Sequence, residues 1–87
     1  MTESALRTQA MKYLKSRRAF VCKLSDRYTS GLPDIMYLER GRLPVFIELK
    51  TSIGKLSEIQ KWTSERLKES GCEFYVIRSM AELRKVI

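Results

Sequence analysis

From Glu3 to Arg17 the apolar residues Leu6, Ala10, Tyr13 and Leu14 recur at helical spacing. The pattern predicts a helix over residues 3–17, capped by Thr2, with that stripe facing inward. Glu3 lies three residues before Leu6 and shares the inner face at its N-terminal end. A solvated first-turn acid favoured by the helix dipole accounts for Glu3 as readily as an inward-pointing one does. Ala19 to Leu24 then reads as a strand, and the polar, basic stretch Ser25 to Gly31 as a loop. Asp34 to Leu38 and Leu43 to Lys50 read as two further strands, with Arg40-Gly41 marking the tight turn between them. Ser57-Glu58-Ile59-Gln60 has the S-x-x-Q form of a capping box and opens a second helix, which Gly71 closes. Phe74 to Ile77 is a continuous apolar run, as expected of a strand buried on both faces. Ser79-Met80-Ala81-Glu82 is a second capping box and starts a short helix to Ile87. The order is α-β-β-β-α-β-α, and its β-α-β part predicts a last strand parallel to the third through a right-handed crossover. No linker or repeat divides residues 1–87, which have the size of one domain with one core.

The third strand interrupts this pattern. Val45-Phe46-Ile47-Glu48-Leu49-Lys50 places an acid and a base in an apolar run, where a charge is costly unless paired. Strand alternation turns Glu48 and Lys50 to one face and Ile47 and Leu49 to the other. Asp34, after Pro33, joins them only if an odd number of residues closes the hairpin. A three-residue loop Glu39-Arg40-Gly41, a type I turn followed by a left-handed glycine, sets Leu38 opposite Arg42 and Asp34 opposite Phe46, with Glu48 diagonal to Asp34. A two-residue Arg40-Gly41 loop turns Asp34 to the other face. Two converging carboxylates repel, and a divalent cation removes that penalty. Oxygen ligands suit Mg²⁺, with Mn²⁺ as a substitute. A surface Glu48–Lys50 pair on an edge strand is the structural alternative.

Charge changes the picture further. Lys and Arg number 17 against 10 acids, and a net charge of +7 on so small a body calls for a polyanionic partner. Histidine is absent, which excludes a Ser-His-Asp triad, a His-Cys zinc finger and an imidazole base. Cys22 and Cys72 have no metal spacing and read as buried free thiols of a reducing compartment. No apolar run reaches the roughly 20 residues of a membrane span. Met1-Thr2-Glu3-Ser4 has no signal-peptide core. A soluble, cytoplasmic protein of viral or bacterial origin, without membrane attachment, is expected.

Pro33-Asp34 together with Glu48-Leu49-Lys50 resembles the PD-(D/E)xK nuclease signature. The stretches "SGLPDIMY", "VFIELKTSIGKLSEIQKW" and "GCEFYVIRS", with the N-terminal acid helix, resemble more closely the VRR-NUC family of virus-type replication-repair nucleases. The resemblance implies a restriction-endonuclease-like α-β-β-β-α-β core with a mixed four-stranded sheet, flanking helices and a short C-terminal helix. It also implies metal-dependent DNA cleavage. Carried over by position, Asp34, Glu48 and the Leu49 carbonyl are metal ligands and Lys50 the catalytic lysine. Glu3 is the helix acid, reaching the metal through water, and Gln60 the motif glutamine, although the capping box explains Gln60 equally well. Trp62 is expected in the core rather than as a base-stacking platform.

Small stand-alone members of the family resemble dimeric endonucleases that cut branched DNA such as four-way (Holliday) junctions in repair. A homodimer is therefore expected, with Met36, Tyr37, Leu38 or Tyr75 as candidate contacts. Arg7, Lys12, Lys23, Arg27, Lys55 and Lys61 flank the acids in sequence and are the expected DNA-binding cations. A non-catalytic basic nucleic-acid-binding module on the same fold is the rival reading, and a structural subunit whose charge only aids assembly a third.

Overall fold

The computed structural model describes residues 1–51 and 53–87. Helix α1 spans Glu3–Lys15, where the Thr2 hydroxyl accepts the Ala5 N–H at 3.0 Å. Leu6, Ala10 and Leu14 are buried and Tyr13 is half-buried. The helix stops short of Arg17, whose side chain turns away to donate to the Tyr37 hydroxyl at 3.1 Å. The strands are β1 (Ala19–Lys23), β2 (Ile35–Glu39), β3 (Val45–Leu49) and β4 (Glu73–Ile77). Helix α2 (Glu58–Glu69) joins β3 to β4, and α3 (Met80–Val86) follows β4. The sheet order is β1-β2-β3-β4, antiparallel except for the parallel pair β3–β4. This is the mixed sheet and element order expected from the sequence.

Period-two alternation divides the sheet's two faces. Ile35, Tyr37, Val45, Ile47, Leu49 and Ile77 point to one side, where they meet Leu6, Ala10 and Leu14 of α1 and Met80 and Leu83 of α3 in one buried cluster. Helix α2 packs against β4. Strand β4 is an edge strand, and only Ile77 in it is buried, so the expectation of burial on both faces is corrected. Trp62 is also not core: it is 57% exposed. Ser64 is the residue α2 buries, and Trp62, two positions earlier, lies about 200° round the helix from it. Cys22 and Cys72 are half-buried rather than buried.

The hairpin register differs from expectation by two residues. Ile35 pairs with Ile47 and Tyr37 with Val45. The turn is Glu39–Arg42, closed by the Arg42 N–H donating to the Glu39 carbonyl at 3.1 Å, with Gly41 at φ 81°. Leu43 and Pro44 then precede the strand, because Pro44 has no N–H for a ladder bond. The Arg42 guanidinium holds this connection in place. It donates to both Glu73 carboxylate oxygens, at 2.8 and 3.0 Å, and to the Val86 carbonyl at 2.8 Å. Arg42, and then the Tyr75 hydroxyl, hold the Glu73 carboxyl down at about 2.

Gly31, with φ +78°, lies against Ile59 of α2, where an added Cβ would come within 2.9 Å of a side-chain carbon and the backbone oxygen. Gly31→Ala is expected to cost roughly 1–3 kcal/mol from strain and overpacking. A chemical-denaturation midpoint equal to that of the parent chain would contradict this.

Candidate active site

The local structure at Asp34 brings the acids together. Continuing the β2–β3 register one step sets Asp34 across from Glu48, not from Phe46. The chain slips there: the Asp34 N–H donates to the Ile47 carbonyl at 3.0 Å, and the Asp34 carbonyl accepts the Leu24 N–H at 2.8 Å. The Asp34 carboxylate accepts the Leu49 N–H on Oδ2 at 2.7 Å. A side chain thus takes a backbone partner's place in the ladder, which fixes the carboxylate at the end of β3. Leu49 sends its carbonyl to the same side as its N–H, toward Pro33-Asp34, and Pro33 has no N–H to offer it.

Glu48 is 4% exposed. Its neighbour across the parallel pair is Val76, so one side of the carboxyl meets hydrocarbon. Burial is the largest cause of a carboxyl pushed up to about 8, and the charges of Asp34 and Glu3 raise it further. Lys50 opposes the shift, its Nζ standing 3.7 Å from Glu48 Oε2. Arg7 of α1 completes the cluster, with Nη2 at 3.8 Å from Asp34 Oδ1 and 3.9 Å from Glu3 Oε2. The Arg7 Nε is buried and has no hydrogen-bond partner among the described residues. Arg7, one of the cations expected to bind DNA, therefore stands between two acids. The Glu3/Arg7 spacing of four on one helix face was the sequence signal for this contact.

The donor set is oxygen only: two carboxylates and a carbonyl. Glu48 carries a burial and repulsion cost that a cation would remove. These residues fit a hard divalent ion. Among the described residues no group of three or more Asp, Glu, Cys or His side chains closes up as a cation cage, and Glu3 is tied to Arg7. Gln60 is committed elsewhere: its Oε1 accepts the Ser57 N–H at 2.9 Å and its own N–H donates to the Ser57 hydroxyl at 3.2 Å. Among the described residues no hydrogen bond links Gln60 to the acids.

The other expected DNA ligands are dispersed. Lys23 pairs with Ile35 and stands exposed at the acidic end of the sheet. Arg27 and Lys55 are exposed on the two loops after β1 and β3. Lys61 is paired with Glu58 at 3.2 Å. Lys12 lies in a groove between α1 and α3, apart from the acids. Sequence reasoning did not find Arg78. Its Nη1 donates to the Thr51 carbonyl at 2.6 Å and the Gly54 carbonyl at 2.5 Å, anchoring the loop that follows Lys50. Of the expected dimer contacts, Tyr37 is wholly buried and Tyr75 donates to Glu73 at 2.5 Å, whereas Met36 and Leu38 remain accessible.

Two acids and a lysine thus meet at the end of adjoining strands, on a mixed four-stranded sheet with flanking helices. The family model for the VRR-NUC domain matches residues 2–81. A solved structure described as a VRR_NUC domain superposes with a TM-score of 0.84 at 28% identity, over 97% of this chain and 91% of that one. A search of curated proteins finds no match. The chain belongs to the VRR-NUC family. Among the described residues no helix is long and apolar enough to cross a membrane.

Proposed function

We propose that this chain is a Mg²⁺-dependent structure-specific DNA endonuclease that hydrolyses phosphodiester bonds in branched DNA such as four-way junctions, in a repair pathway. The observation that carries the reading is a buried Glu48 carboxylate beside Asp34, with Lys50 on the same rim. Asp34, Glu48 and the Leu49 carbonyl would hold the ion. When bound, it supplies a Lewis acid for the phosphate and lowers the pKa of an attacking water. Lys50, 3.7 Å from Glu48, orients that water or offsets charge that develops on the phosphate. Arg7 holds the Asp34 carboxylate from the α1 side. A non-catalytic binder gains nothing from a buried Glu48 and a half-buried Asp34 that repel phosphates, and this disfavours the rival reading.

The test is a panel of four-way, flapped and linear DNAs incubated with and without Mg²⁺. Metal-dependent cutting with preference for branched substrates supports the reading. Tight binding without cutting at any metal concentration rejects it in favour of the binding module.

The same reading makes the working unit a homodimer. Among the described residues each copy brings Asp34 and Glu48 together at one place, and two opposed cuts in a junction need two such places related by a two-fold axis. Phe20, 60% exposed, pairs across β1–β2 with the exposed Leu38, leaving apolar sheet surface for such a contact. Light scattering at micromolar protein is expected to return twice the chain mass. A monomer that still cuts both junction strands symmetrically would overturn this.

A further inference from the structure

The C-terminal half of α1 and helix α3 bound a groove of about 330 Å³, lined by Gln9, Lys12, Tyr13, Ser16, Met80 and Arg84. Lys12 lies roughly 13 Å along the α1 axis from Glu3, at 1.5 Å per residue, so the groove is removed from the acid cluster. Its cations differ from Arg7 and Lys50 beside the acids and from Lys61 on α2. Arg7, Lys50 and Lys61 each stand within 4.0 Å of a carboxylate. Among the described residues neither Lys12 nor Arg84 has such a partner. The Arg84 guanidinium is braced 5.8 Å over the Tyr13 ring. Arg17 lies 6.0 Å from the same ring and is itself held by the Tyr37 hydroxyl and Glu39. Lys15, Arg18 and Lys85 are exposed on the same two segments and extend the positive field.

We propose that the α1–α3 groove is a second phosphate-backbone contact. It holds DNA that flanks the segment at the acids, with Lys12 and Arg84 as its principal ligands. The inference rests on the nuclease reading above for the identity of the polyanion. A lone phosphate is a poor occupant for two reasons. Lys12 lies in the last turn of α1 and Arg84 in the last turn of α3, where helix dipoles present their negative ends. The groove is also open, with its two cations on separate helices. A chain of phosphates that reaches both cations gains from counterion release, which a single ion does not.

The experiment measures affinity for four-way junction and linear duplex DNA over a salt series with the full chain. Lys12→Glu, Arg84→Glu and Lys68→Glu are compared, and the last makes the same charge change at the C-terminal end of α2. The two groove variants are expected to bind about tenfold more weakly at low salt and to lower the logarithmic salt slope by about 1 each. Lys68→Glu is expected to do markedly less. The milder Lys12→Gln and Arg84→Gln, checked by thermal melts, guard against misfolding and should show a smaller loss of the same sign. Equal losses in all three charge-reversal variants mean that net charge alone acts, and the groove assignment fails. Parent-like binding by both groove variants also overturns it. Protection of Lys12 from acylation by millimolar inorganic phosphate as strong as by DNA would make the groove a free-anion site instead. If the parent chain binds neither DNA, the nuclease reading itself falls, an outcome distinct from all of these.

Discussion

Glu48→Gln is expected to lower metal-dependent DNA cleavage by about 10²- to 10⁴-fold while the protein stays folded and DNA-binding. The amide keeps the shape of the buried side chain but loses the charge that would hold a cation. Lys50→Ala should cause a loss of similar order, because it removes the only ammonium within 4.0 Å of Glu48 among the described residues. The two losses should not add, since both residues serve one cluster. Binding to uncut DNA is read in the same samples, and removing an acid from the cluster should leave it equal or tighter. Cleavage at the parent rate by either variant would remove Glu48 and Lys50 from the chemistry. Loss of the folded state in both would make them structural instead.

The second large effect is on stability against pH in metal-free protein. Burial, with Asp34 beside it, raises the Glu48 carboxyl from 4.5 to about 8 in the folded chain. Between those values the native state holds more protons than the unfolded one, so stability falls as pH rises through that window and levels off above it. At about 1.4 kcal/mol for each pH unit the loss across the window is roughly 5 kcal/mol, and several degrees of melting temperature follow for each kcal/mol in a domain of this size. Histidine is absent, so no imidazole titrates in the same window. Glu48→Gln should flatten the profile and make the protein more stable than the parent at pH 8. Mg²⁺ added to the parent at pH 8 should restore part of the loss, by binding the native state alone. Parallel melting profiles for parent and variant between pH 5 and 8 would show that Glu48 is not the titrating group.

Much was legible along the chain because its signals are local. Thr2, Ser57 and Ser79 each cap the helix they were expected to cap, since a cap needs only a hydroxyl a few bonds from the N–H it accepts. The Leu6, Ala10 and Leu14 stripe faces the core because its spacing matches the helical period. Period-two alternation on β3 likewise separates Glu48 from Ile47 and Leu49 before any partner is known. The mixed sheet follows from the element order, and the family from the Pro33-Asp34 and Glu48-Leu49-Lys50 motifs.

Tertiary structure decided what depends on contacts distant in sequence. The β2–β3 register was open to a two-residue error, because alternation fixes the face of a strand but not its offset. Only the folded chain shows Asp34 replacing a backbone partner of Leu49, a contact between residues on different strands. The exposure of Trp62 and the edge position of β4 depend on which neighbours exist to cover them, and no local pattern encodes a missing neighbour. Charge count predicted a polyanionic partner without locating it. Folding set Arg7 between two acids and left Lys12 and Arg84 facing one groove from helices at opposite ends of the sequence. Net charge is a sum over residues, whereas a binding surface is a matter of which of them remain unpaired on one side of the molecule.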